Sequence, residues 1–421
     1  MISKTVLSTA VTLALSAGFV SAQSISENRT YDFNFSQDCR IAENVSELVF
    51  DIKYVQVAPT QADMKLYAFG NENRGSTMVV EVLSSDITVI NKTNTNEGPV
   101  DGRGAVLGGA KFLGSGGKAT LISELDVLKD FHNEISGFND LTLTSNTRNA
   151  IYFGGASSTA KLSAKHITLN GKKDAIYIDE AAEGTSANNV TIEGFDSLVM
   201  NAETRYAVRN VGIGEQAIAL TGNENSTITL TGARGAIDTG YVEKGVLIGN
   251  GSVSVTAGKV TLETTGIASD DITDNKKNSD FGIVHMQGGS VTINSDELTI
   301  RPAASATDWD ANAFKLTKGE LKINGTDGNS PAVMNVQGAI DASGEAKAEL
   351  NFTGAQSSLT GKIANEADSV KILFSDAAVW NAKGASKSKN LTVSSGGIVN
   401  LTNGTLKVVQ NRHDTQVKMT F

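Results

Sequence analysis

Three acidic residues, Asp174, Asp179 and Asp238, fall where one short pattern keeps returning along the chain. Two or three carboxyls beside an Arg or Lys on neighbouring segments are the equipment of polysaccharide lyases and hydrolases, in which a carboxyl moves a proton and a cation steadies the developing charge. These three residues are candidates for that chemistry only if the fold stacks them. The four histidines, His132, His166, His285 and His413, lie far apart, and none has a second His, a Cys or an acid at the spacing of a motif such as H-E-x-x-H. A solvated or strand-surface role is expected for each. The sequence therefore assigns no residue to catalysis, to a metal or to a cofactor.

Other near-motifs lack an essential member. In "GSGGKAT" (114–120) the position five before Gly117 is Phe112 and the residue after Lys118 is Ala119, so a phosphate loop would miss both its leading glycine and its magnesium-binding hydroxyl. The stretch reads as a corner. "IDTG" (237–240) has the form of an aspartic-protease loop, but no second copy exists, and the repeat places it where other units have "AIYI" or "AVRN". No G-x-S-x-G elbow accompanies a His and an Asp, and the calcium-binding glycine-rich nonapeptide is missing. The acidic stretch "SDDITDNKKNSD" (269–280) is expected to be a solvated insertion. Sequons at Asn189, Asn225, Asn351 and Asn390 matter only in a eukaryotic secretory pathway.

What must position any such residues is a stack of short strands. "LTLTSNTRNAIYF" (141–153) and "ITLNGKKDAIYI" (167–178) share one order: apolar/Thr alternation, a polar turn, then Ala-Ile-Tyr. Variants follow at 190–210, 226–240, 252–270, 290–316 and 320–336, each with stretches of period-two alternation rich in Val, Ile, Leu and Thr between clusters of Gly, Asn, Asp, Ser and Lys. Leu141, Ile167, Leu198, Ile228, Val260 and Leu298 stand 26, 31, 30, 32 and 38 residues apart with no amphipathic helix between them. A variable strand period of this kind predicts an all-β fold, a right-handed parallel β-helix (β-solenoid), because extra residues bulge out as loops without disturbing the ladder. Inward Val, Ile and Leu would build one column of core while outward Thr, Ser, Lys and Asn meet water. One coil cannot bury its apolar face alone, so the unit recurs. Glycine pairs at 108, 116, 154, 288 and 396 fit corners, and four prolines suit a chain of stacked strands.

The chain has 421 residues, 42 glycines, 40% hydrophobic residues and a formal net charge of −10. No block of Lys and Arg stands out, which argues against a nucleic-acid partner. At the N-terminus, Lys4 precedes an apolar run over 6–20, and Val20 and Ala22 are small residues before Gln23. That pattern predicts a signal peptide over 1–22, the run being too short and too polar for the roughly 20 apolar residues of a bilayer span. Cys39 is the only cysteine, so no internal disulfide forms, and a buried or idle thiol is expected. From Gln23 to about Val100 the strands are longer and the aromatics cluster, with a composition break at "NKTNTNEGPVDGRG" (91–104). This stretch, 23–100, is expected to be an N-terminal cap protecting the open edge of the helix, with coils over 101–350 and further coils over 351–421.

The last stretch carries a resemblance. Ser358 to Gly361, Trp380, Gly384 to Ser386, Leu391 to Val393, and Gly396 to Leu401 follow the order and spacing of an "SxxxG" coil, a strand ending in Trp, a "gnS" turn, an "L-x-L" strand and a "GG-x-V-x-L" strand. Over about 50 residues this resembles the C-terminal passenger region of pertactin-like autotransporters; upstream, only the style of repeat is shared. The resemblance implies a β-helical passenger with Trp380 in its core. Such proteins continue into a membrane β-barrel, which the single short "QVKMTF" strand does not supply, so a passenger without its translocator barrel is expected. The function expected is non-catalytic adhesion, by a secreted or surface-displayed rod exported through the periplasm of a Gram-negative bacterium. Its partners would be a host or neighbouring-cell surface protein or glycan and the outer-membrane export machinery. A polysaccharide lyase or hydrolase on the same scaffold is the alternative.

Overall fold

The computed structural model describes residues 22–52, 66–70, 77–93, 104–155, 157–179, 187–214, 216–243, 246–266, 280–304, 312–329, 333–394, 396–401 and 406–408. The expected signal peptide, all but Ala22, the acidic stretch apart from Asp280, and His413 lie outside them. Among the described residues every named element is a strand, and no helix is long and apolar enough to cross a membrane.

Apart from Tyr241–Glu243 and Val246–Gly249, which form an antiparallel hairpin, the strands stack in parallel into three ladders, one for each face of a parallel β-helix. A single circuit shows the plan: Ile151–Phe153 lies on one face, the first half of Thr159–Gly171 on the next, and its second half on the third. Each half pairs with its counterpart one coil away. The landmarks that defined the sequence period are register partners: Leu141 pairs with Ile167, Ile167 with Leu198, Leu198 with Ile228, Ile228 with Val260, and Val260 with Leu298. The loops that make the period irregular leave this register untouched. From Arg29–Tyr31 to Ile398–Leu401, fourteen strands follow one another on this face. At about 4.8 Å per step the face is roughly 60 Å long.

Alternation decides what each strand buries. Leu121, Leu143, Leu169, Met200, Leu230, Leu262 and Ile300 form one inward line, all fully buried. The outward neighbours Thr120, Thr142, Thr168, Thr229, Thr261 and Thr299 share the ladder, interrupted only by Val199. The middle of the core is mostly aliphatic, with Phe153, Phe195 and Phe314 set singly into it, whereas aromatics cluster in contact at both ends. Tyr31, Phe35, Phe50, Phe69, Phe112 and Phe138 run in contact with centroids 5.1 to 6.1 Å apart. At the other end Phe352, Phe374 and Trp380 stack, and the Trp380 indole N–H donates to Gly361 O at 2.9 Å.

The described strands of the stretch 23–100, expected as an N-terminal cap, share the ladders of the later coils. Gln23–Ile25 pairs with Cys39–Ile41, that strand with Met78–Val82, and Glu47–Phe50 with Asp86–Asn91, which continues directly onto Lys118–Ser123. Its longer alternating segments serve as coil strands. Asparagine and glycine make the corners as composition implied. A Cβ on Gly117, whose φ is +73°, would fall 1.6 Å from Ser85 O, so the near-phosphate loop is a turn that only glycine fits.

A cavity in the inward line should cost far more than a change on its outward side. Leu198→Ala is expected to lower unfolding free energy by about 2–5 kcal/mol, and Thr229→Ala, one coil on and facing out, to stay within about 0.5 kcal/mol. Urea unfolding followed by circular dichroism measures both.

Candidate functional site

On the face that carries the Ala-Ile-Tyr segments, one outward position per coil forms a continuous line. Lys129, Tyr152, Tyr177, Arg209, Asp238, His285, Lys315 and Asp341 are register partners in that order. The reason is local: Tyr152 sits between inward Ile151 and Phe153, and Tyr177 between inward Ile176 and Ile178, so alternation turns both rings out. Stacking then makes them neighbours, with centroids 5.7 Å apart. Cations close the pair at each end. The Lys129 ammonium lies 5.0 Å from the Tyr152 centroid, and the Arg209 guanidinium 4.9 Å from that of Tyr177.

Asp179, just past the Tyr177 strand, accepts hydrogen bonds from both phenols, at 3.1 Å from Tyr152 and 2.6 Å from Tyr177. Burial, with Asp179 adding to it, raises the pKa of both tyrosines, while Arg209 pulls that of Tyr177 back in part. Asp238 is buried between two bases. Arg209 Nε donates to its Oδ2 at 3.0 Å, and His285 Nδ1 stands 3.0 Å from Oδ1, an ion-pair distance without hydrogen-bond alignment. Burial alone would raise the Asp238 pKa, but His285 and Arg209 outweigh it and hold the carboxyl below its ordinary value.

Tyr206 completes this buried group from two coils away. Its hydroxyl is 3.1 Å from His285 Nδ1, and its ring reaches past Gly235, where a Cβ would lie 2.9 Å from the ring edge. Gln287 Nε2 is 3.2 Å from the other imidazole nitrogen. His285 therefore departs from the surface role expected of it: it is 6% exposed, because stacking brings in partners 47 and 79 residues distant in sequence. His132 and His166 remain exposed, bonded to Thr159 and Ser197 one coil away.

Asp174 lies at the corner before this face, fully buried. Its Oδ1 accepts from Tyr206 N at 3.1 Å, while Oδ2 has no hydrogen bond and stands 3.9 Å from Arg205. Asp126 repeats the arrangement two coils earlier, bonded to Asn149 through N and Nδ2, with Oδ2 3.9 Å from Lys129. Asn149 Oδ1 accepts from Asp174 N at 3.1 Å, linking the two acids into one corner ladder. Burial pushes both carboxyls up to about 6 against the pull of neighbouring cations.

Asp174, Asp179 and Asp238 are thus gathered on one side of the helix, yet each is already committed: Asp179 to two phenols, Asp238 to Arg209 and His285, Asp174 to backbone. The sequence missed Tyr206, Arg209 and His285, whose proximity depends on coil register; the repeated Ala-Ile-Tyr was the one signal for the tyrosine pair. Cys39 is fully buried, and burial, with Asp38 adding to it, pushes its thiol up to about 12. Among the described residues no group of three His, Cys, Asp or Glu is placed to hold a metal ion.

The buried acids set a pH dependence. Asp126 and Asp174, raised from 3.8 to about 6, keep protons in the folded chain that the unfolded chain has lost. Their contribution is fully present below about pH 4 and falls away as pH rises towards 6; Asp238, shifted the other way, loses its contribution as pH falls below its unfolded value. Asp174→Asn keeps an Oδ1 acceptor and removes the charge. Denaturant midpoints measured from pH 4 to 7 should decline in the wild type and decline about half as steeply in this variant, in which Asp126 keeps its share.

Comparison with protein-family models, with curated proteins and with solved structures returned no match.

Proposed function

We propose that the chain is an exported, surface-displayed or secreted β-helical rod that binds a cell surface without catalysis, in the manner of the autotransporter passengers its C-terminal stretch resembles. The observation that carries this reading is the state of the three candidate acids. Acid/base work on a polysaccharide wants carboxyls with protons to exchange at the reacting bond. Here Asp238 is held ionised by Arg209 and His285, Asp179 accepts from two phenols, and Asp174, although pushed up to about 6, is fully buried with its Oδ1 taken by Tyr206 N, out of reach of a bound sugar. What the rod offers is length and regular outward faces. The Trp380 segment supports the resemblance in placement: Leu359, Trp380 and Val399 are stacked partners on three successive coils.

The alternative of a lyase or hydrolase keeps one observation in its favour, since Arg209 and Asp238 do stand on one face in adjacent coils. A single pair of measurements separates the readings. Beads coated with the purified chain are expected to adhere to cultured epithelial or bacterial cells above albumin-coated beads, and incubation with acidic polysaccharides to yield no unsaturated or reducing ends. Product formation abolished by Asp238→Asn, without adhesion, would reverse the assignment.

A further inference from the structure

One cation per coil lines the corner that leads onto the tyrosine face. Lys173 N donates to Arg148 O at 2.7 Å, Arg205 N to Lys173 O at 3.2 Å, and Arg234 N to Arg205 O at 2.9 Å, so these four residues lie above one another on successive coils. All four are half-buried. Their crowding registers on Lys173: burial first, then Arg205 and Arg148, hold its ammonium below the usual lysine range. Lys173 makes no ion pair among the described residues, and Arg234 Nε is buried without a hydrogen-bond partner while its guanidinium rests 5.1 Å from the Phe281 centroid. Two buried acids, Asp126 and Asp174, are set into the column against its four cations, each with one carboxylate oxygen short of a hydrogen bond. A half-buried line of like charge over low-dielectric packing attracts a mobile anion.

A polar groove of about 490 Å³ runs alongside, on the residues just before each cation. Its floor is an amide and hydroxyl ladder: Asn201 Nδ2 donates to Asn170 Oδ1 at 2.9 Å, Asn170 Nδ2 to Thr144 Oγ1 at 3.3 Å, and Thr231 follows in register. Lys172 lines it too, neutralised by Glu203. Tyr152 and Tyr177, half-exposed, bound the corner on its other side.

We propose that this corner binds an acidic polysaccharide laid along the helix axis, its carboxylates on the Arg148, Lys173, Arg205 and Arg234 column and its hydroxyls on the Thr144, Asn170 and Asn201 ladder. The geometry suits an extended polyanion, because the coils present one cation about every 4.8 Å along the axis. A hydroxyl-rich ligand also matches a floor of amides and hydroxyls better than a nucleic-acid backbone does. The assignment names the ligand class for the binding rod proposed above and rests on that reading.

The test is isothermal titration of the full chain with polygalacturonate, with neutral dextran and a dT20 oligonucleotide as comparators. Polygalacturonate is expected to bind, more weakly as salt rises, and dextran not to bind. Lys173→Gln relieves repulsion, so it should fold with an unchanged or higher melting temperature and bind about fivefold more weakly. Lys259→Gln, which removes a pair with Glu297 away from the corner, should bind as the wild type does. Absence of polygalacturonate binding, full binding by Lys173→Gln, or equal binding of dT20 would overturn the proposal. Cell adhesion that persists in any of these cases leaves the rod reading standing and removes only this ligand.

Discussion

The parallel hydrogen-bonded ladder between coils is the interaction on which everything else depends. No coil contains a core of its own; Leu143 is buried only because Leu121 and Leu169 lie against it on the coils before and after. Burial of one such side chain contributes about 1.5–3 kcal/mol, and the gain exists only while the register holds. Stability is therefore a property of neighbouring pairs of coils, summed along the rod.

The same register places the outward chemistry. Cross-coil ion pairs such as Lys318 with Glu345 and Lys371 with Glu349 are exposed, and pairs of this kind add little to stability. Their larger effect is on alignment, because a slip of one residue would turn the strand's alternate face inward. Where the outward line becomes buried, at Asp238 and His285, polar groups replace packing and the energetic stakes rise: removing one member of a buried charge pair leaves the other uncompensated. Tyr206 is positioned by the same logic, its ring extending over Gly235 to reach His285 two coils on.

Much of the fold was legible because a strand's period of two is local. The landmarks from Leu141 to Leu298 proved to be ladder partners, and the glycine pairs at 116 and 288 include residues with positive φ. Strands within 23–100 join the same ladders, since the change in composition around 91–104 does not alter strand alternation. The surface was barely legible. Arg148, Lys173, Arg205 and Arg234 stand 25, 32 and 29 residues apart, so a search for a basic block finds nothing. His285 and Tyr206 meet only through a register that loop lengths disguise.

Disulfide trapping of the register tests the account most directly. Thr142 and Thr168 are outward partners on adjacent coils, whereas Val199 lies one coil further; native Cys39 is buried. Adjacent parallel strands about 4.8 Å apart bring Cα atoms within disulfide reach, and two steps do not. Thr142→Cys with Thr168→Cys should cross-link readily under mild oxidation, and Thr142→Cys with Val199→Cys should not. Cross-linking of the second pair, or of neither, would contradict the stacked helix.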